Sequence, residues 1–112
     1  MIDSLPQHSR TGLDGKTRRR LRQIAHHLDP VVSIGDQGMS EGLIAETNRA
    51  LADHELIKVR INALAREDRN ALGTGLADAC NAAVVQRIGK VIVLFRANPE
   101  PDPKLSNLTR FS

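Results

Sequence analysis

Aromatic side chains are nearly missing from this 112-residue chain: it has no tryptophan, no tyrosine, and only Phe95 and Phe111. Proteins that read single-stranded nucleic acid usually stack bases on aromatic platforms, and that route has almost nothing to build on here. Cysteine is as scarce. A lone Cys80 excludes an intrachain disulfide and any cysteine-rich zinc site. The four histidines, His8, His26, His27 and His54, show no metal-ligand spacing with carboxylates or with Cys80. No apolar run approaches the ~20 residues that span a bilayer. The opening Met1-Ile2-Asp3-Ser4-Leu5-Pro6 lacks the charged-then-apolar order of a secretory signal. A P-loop, a dinucleotide fingerprint and a nucleophile elbow are missing as well. These gaps predict a cytoplasmic, non-membrane protein that is not an enzyme, needs no metal or cofactor and takes no small-molecule substrate.

What is present is globular. Hydrophobic residues make up 40% of the chain, enough for one modest core in one domain. The formal net charge of +3 hides an uneven distribution. Between residues 14 and 28, Lys16, Arg18, Arg19, Arg20 and Arg22 face Asp14 alone, so this segment carries +4 and the rest of the chain −1. Such a cluster signals a polyanionic partner, or else the solvated face of a helix.

Apolar periodicity then divides the chain. Residues 1–12 read as a flexible leader. Asp14 is placed to cap a helix in which Thr17, Leu21, Ile24, Ala25 and Leu28 share one face. Lys16, Arg19 and Arg22 project from the other side, with Arg18 and Arg20 on the flanks. Asp29-Pro30 ends that helix. Val31-Val32-Ser33-Ile34 reads as a buried strand, Ser40 as the cap of a second helix through Leu43, Ile44, Thr47, Ala50 and Leu51, and His54-Glu55 as its end. In Leu56–Ile61 the residues Ile57, Val59 and Ile61 point inward while Lys58 and Arg60 point outward, a strand with one wet face.

A third helix is expected over about 68–80, burying Leu72, Leu76 and Ala79 or Cys80, and weakened by Gly73 and Gly75. A Cys80 thiol on that apolar side reads as structural. Ala83–Ile88 and Val91–Phe95, separated by Gly89-Lys90, form a hairpin whose second strand is apolar throughout and so belongs in the middle of the sheet. Pro99, Pro101 and Pro103 mark residues 98–112 as an extended, flexible tail. The element order α-β-α-β-α-β-β predicts an α+β domain over 13–97, with helices packed on a four-stranded mixed sheet.

One loop carries chemistry. In Gly35-Asp36-Gln37-Gly38, between a strand and a helix start, two glycines let backbone approach a ligand closely, and free N–H groups at the helix start favour an anion. That is the logic of a GXXG clamp on nucleic-acid backbone; a plain tight turn has the same residues. Asp36 works against the clamp, because it puts a negative charge where phosphate would come close. Gln37, backbone donors and the arginines would then have to hold the contact. Lys58, Arg60, Arg87 and Lys90 either extend a basic surface across the strands or are ordinary solvent-side residues.

Several of these segments together carry a resemblance. They are Gly15-Lys16-x-x-Arg19-x-Leu21-Arg22-x-x-Ala25-His26-x-Leu28-x-Pro30-Val31-Val32, Gly35-x-x-Gly38-Met39-Ser40-Glu41-Gly42, Ala50-Leu51-x-x-His54-Glu55-Leu56-Ile57-Lys58-Val59, Val85-Gln86-x-Ile88-Gly89-Lys90 and Val93-Leu94-Phe95-Arg96. In this order they resemble the CRM domain family (chloroplast RNA splicing and ribosome maturation), in particular its bacterial single-domain, YhbY-like members, from about Leu13 to Arg96. The resemblance implies a fold like the C-terminal domain of bacterial translation initiation factor three. It also implies RNA binding through the loop of Gly35 and Gly38 and the basic surface of Lys16, Arg19, Arg22 and Lys58, and association with precursors of the large ribosomal subunit. Asp36, Ser40 and Phe95 depart from the family pattern. The competing expectation is a protein-binding adaptor that sets its basic helix against an acidic partner.

Overall fold

The computed structural model describes residues 13–111, so the expected leader, 1–12, lies outside the described residues. The chain order is α1 (Gly15–Ala25), β1 (Pro30–Ile34), α2 (Glu41–His54), β2 (Leu56–Ile61), α3 (Arg66–Ala79), β3 (Ala83–Ile88), β4 (Val91–Phe95) and a single-turn α4 (Asn107–Arg110). The strands form one mixed sheet in the order β1-β2-β4-β3. β1 runs parallel to β2, while β4 is antiparallel to both β2 and β3. The fold class, the four strands and the hairpin are those expected from the sequence, and the apolar strand β4 is central.

Connection rules explain the layers. The crossovers β1-α2-β2 and β2-α3-β3 step across the sheet in the same direction between parallel strands. Right-handed crossovers of that kind put α2 and α3 on one face. There Val32, Ile34, Leu43, Leu51, Ile57, Val59, Ile61, Leu76, Ile92 and Leu94 form the larger core cluster. The opposite face is left for α1, whose Leu21, Ile24 and Ala25 pack with Leu56, Val85, Val93 and Phe95 in a second cluster. Burying a Leu or Ile side chain is worth about 1.5–3 kcal/mol, so this short stripe suffices to hold an eleven-residue helix against the sheet.

Local signals account for the boundaries. Thr17 N–H donates to Asp14 Oδ1 at 2.7 Å, capping α1 as expected; this bond and one from the Thr17 side chain hold the Asp14 carboxyl below its usual range. Thr17 itself is exposed, contrary to its expected place on the apolar stripe, and the helix stops at Ala25 with Leu28 half-buried after a turn. Leu43 N–H donates to Ser40 Oγ at 3.1 Å and caps α2. β1, expected to be buried, is an edge strand: Val32 and Ile34 are buried, but Val31 and Ser33 face solvent. α3 buries Leu76, Ala77 and Cys80, with Ala79 exposed.

The expected flexible tail is instead folded against the domain as far as it is described. Ser106 and Asn107 are buried. Ser106 Oγ–H donates to Glu55 Oε1, Asn98 N–H to Glu55 Oε2, and Asn107 Nδ2–H to Leu56 O, each at 2.7 Å. Leu108 joins the α1 cluster. Glu55, which ends α2 in the left-handed region at φ 63°, is the buried carboxylate around which this segment is organised.

Candidate nucleic-acid interface

The arginine-rich segment is not one face but three. At three- and four-residue spacing, Arg19, Arg22, Gln23 and His26 fall on one stripe of α1. That stripe looks across the part of the sheet that α1 leaves uncovered. Lys58 from β2 and Gln86 and Ile88 from β3 complete a cleft of about 450 Å³. Three cations line it, Arg19, Arg22 and Lys58, and no carboxylate does. Arg20 lies on another flank, beside Gln23, Ile24, His27 and Phe111. Lys16 is exposed in the first turn.

Arg18 turns inward. Its Nη1 donates to Val84 O at 2.8 Å and to Val85 O at 2.9 Å. The β3–β4 register shifts between Val84 and Gln86, on an edge strand. A bulge there leaves carbonyls without ladder partners, and the guanidinium takes them. Arg18, expected at the interface, is therefore spent on holding α1 to the sheet.

Lys58 and Arg60 project on the α1 side of β2, opposite to Ile57, Val59 and Ile61 of the larger cluster. Arg60 pairs in register with Ser33, and Ile34 with Ile61, so Arg60 stands beside the end of β1 from which the glycine loop leaves. Two strand residues span roughly 6.6 Å, and one such step separates Lys58 in the cleft from Arg60. Arg87, by contrast, crosses to the α3 face, where its Nη2 donates to Thr74 Oγ1 at 2.8 Å; it does not extend the surface of Lys58. Lys90 is exposed at the hairpin turn.

The glycine loop is a tight turn. Gly38 N–H donates to Gly35 O at 3.0 Å, and Gly38 sits at φ 68°, where a side chain is strained. Gly35 has open space where a Cβ would be and needs no special conformation. The loop and the arginine helix pack on different cores: the loop leads into α2 on the larger cluster, and α1 packs the other face. Two amides at the loop and helix start are occupied, Gly38 by the turn and Leu43 by Ser40. The recess at the loop is lined by Gly35, Asp36, Gly38, Asn62, Asp68 and Leu72 among others, with two carboxylates and no cation. Gln37 is exposed.

Several other polar groups hold the fold together. Arg96 Nη1 donates to Asn48 Oδ1 and to Cys80 O, each at 2.8 Å, tying α2 to the end of α3. Burial pushes the Cys80 thiol up from its ordinary pKa. Nδ1 of His54 lies 2.8 Å from Leu105 O, so that nitrogen carries the proton and donates to the carbonyl. Among the described residues no group of three or more His, Cys, Asp or Glu is placed to hold a metal ion, and no helix is long and apolar enough to cross a membrane.

Helices on both faces of a four-stranded mixed sheet, with a basic cleft beside the first helix, define a small α+β domain with an exposed cationic surface. The chain belongs to the CRS1/YhbY (CRM) domain family, whose profile matches residues 13–96. A Pseudomonas aeruginosa protein named "Probable RNA-binding protein PA4753" is 42% identical over 100 residues, covering 89% of this chain and 96% of its own. A Haemophilus influenzae protein named "RNA-binding protein" is 41% identical over 90 residues, covering 80% of this chain and 91% of its own. The solution structure of the hypothetical protein SAV1595 from Staphylococcus aureus matches with a TM-score of 0.70 at 38% identity, over 79% of this chain and 92% of that one.

Proposed function

We propose that this protein binds structured RNA without acting on it chemically, seating the phosphate backbone in the cleft between α1 and the open sheet face. The observation that carries this reading is the convergence of Arg19 and Arg22 with Lys58, from segments far apart in the chain, on a cleft without a single lining carboxylate. Arginine forks and a lysine point charge suit phosphate. Membership of the CRM family and relatives named as RNA-binding proteins favour RNA as the polyanion. Because no Phe, Tyr or Trp lines the cleft, recognition there is mainly of backbone and shape. Arg60 extends the surface toward Gly35 and Gly38, where Asp36 weakens a phosphate contact and Gln37 and the remaining amides support one. The family resemblance makes ribosomal RNA, in precursors of the large subunit, the RNA of this proposal, and the cytoplasm its place.

The test is an Arg22→Glu/Lys58→Glu variant, compared with the parent for binding to structured large-subunit RNA fragments between 50 and 200 mM salt. Three phosphate contacts imply a log–log slope near −2.7, or about a 40-fold loss of affinity across that range. The variant should bind at least tenfold more weakly with a shallower slope. Unchanged RNA affinity would remove the cleft from the interface. Sedimentation of the protein with large-subunit precursors in lysate, and its release by RNase, tests the ribosomal assignment; retention after RNase would favour an acidic protein partner.

A further inference from the structure

Phe111 lies far in sequence from the residues of the cleft, yet the folded tail brings it to His27 at the rim. Phe111, 40% exposed, lies parallel to His27 within 3°, with ring centroids 6.1 Å apart. His27 in turn meets His26 edge to face at 5.7 Å. His26 and His27 both line the basic cleft, so three rings run without a break from the cleft to the end of the chain. Beside the last of them is a second recess of about 250 Å³, lined by Arg20, Gln23, Ile24, His27 and Phe111. It offers an apolar floor, a stacking ring and two side chains able to donate hydrogen bonds. Arg110 places its guanidinium 5.5 Å from the Phe111 centroid.

We infer that this recess is a binding site for one unpaired nucleobase of the RNA whose backbone occupies the cleft; the inference rests on that reading and adds a second kind of contact to it. A base entering the recess stacks on the exposed Phe111 ring and continues the row of His27 and His26. Arg110 makes its cation–π contact with the ring from outside this recess, because it lines a different one with Leu28, Asp29 and Asn107. Arg20 and Gln23 supply donors to the base edge, and Arg20 thereby has a use that the cleft does not give it. Phe111 lies beyond residue 96, where the family match ends. The site thus joins four residues of the shared domain to one from the segment that follows it.

The experiment uses the full chain and one RNA hairpin in two forms, blunt-ended or with a short single-stranded 3′ extension. Phe111→Ala should weaken the extended form about five- to tenfold, the size expected for one lost base stack, and the blunt form by less than twofold. Phe111→Tyr should restore the difference. Because the chain has no tryptophan, Phe111→Trp adds a single fluorophore, whose emission should be quenched by the extended RNA and not by the blunt one. An equal loss on both RNAs, no loss on either, or unquenched tryptophan emission would overturn the site. If Arg22→Glu/Lys58→Glu abolishes binding while Phe111→Ala discriminates nothing, the cleft stands and the base site falls. If that charge reversal leaves affinity intact while Phe111→Ala discriminates, the cleft falls and the base site stands.

Discussion

Gly73 and Gly75 look alike in the sequence, two helix-weakening residues in one turn of α3. Packing separates them. A Cβ on Gly73 would lie 2.7 Å from Ile92 Cδ1 and 3.3 Å from Ile61 Cδ1, and both isoleucines are buried in the larger cluster. Gly73 is thus the point of closest approach between α3 and the sheet, whereas a Cβ on Gly75 meets nothing within 4 Å. Alanine gains roughly 1 kcal/mol of helix propensity at either position, but overpacking a filled core costs about 1–3 kcal/mol. Gly75→Ala is therefore expected to raise the urea midpoint, by about 0.5–1 kcal/mol of stability. Gly73→Ala is expected to lower it. A stabilising Gly73→Ala would show that Ile92 can move aside. The loop glycines divide in the same manner. Gly38 is required by its φ of 68°, while Gly35 is sterically unconstrained. Gly35→Ala should leave the unfolding midpoint unchanged, and a drop in RNA affinity would then report close backbone approach at the loop.

At the level of elements, the basic helix and the tail were the least legible. A helical wheel puts Arg18 on the border between the packed and solvated sides of α1, and nothing local says which way it turns. The decision lies 66 residues away, in the carbonyls of a bulged edge strand. Arg18→Ala should destabilise the fold by about 1–3 kcal/mol, since it strips two part-buried acceptors of their donor. Arg20→Ala should stay within about 0.5 kcal/mol, as befits an exposed side chain. Thermal unfolding of the two variants gives the comparison, and equal midpoints would contradict the assignment of Arg18. The tail departs from expectation for a related reason. Three prolines at alternate positions suggest an extended, solvated segment, but docking rests on isolated contacts of Asn98, Ser106, Asn107 and Leu108 that leave no periodic trace. Asn107→Ala should speed tryptic cleavage after Lys104, because Leu56 O then loses its donor.

For the molecule as a whole, the question is how far the interface reaches. The cleft and the glycine loop line separate recesses, one with three cations and one with two carboxylates. Arg60 is the basic residue placed between them on β2. At an effective dielectric near 20, a unit charge about 4 Å from a phosphate is worth about 4 kcal/mol before screening, so Asp36 is the residue through which the loop declares its role. If RNA passes the loop, Asp36→Lys should tighten binding and steepen the salt dependence by about one phosphate contact. If affinity and slope stay at parental values, the interface ends at Arg60. The same titration on Arg19→Ala should make the slope shallower by about one, as expected for a cleft residue on phosphate.

Alternation in Leu56–Ile61, the turn at Gly89-Lys90 and the caps at Asp14 and Ser40 were enough to mark the strands and the first two helices, because each depends on residues close together in the chain. The same locality made the surplus of positive charge before residue 29 visible, and with it the class of partner. Which arginines face outward, that Lys58 joins them, that a Cβ on Gly73 would crowd Ile92 and that Phe111 returns to His27 were settled only by the folded chain. Each depends on which face of the sheet a helix covers, and that follows from crossover handedness and packing between residues distant in sequence.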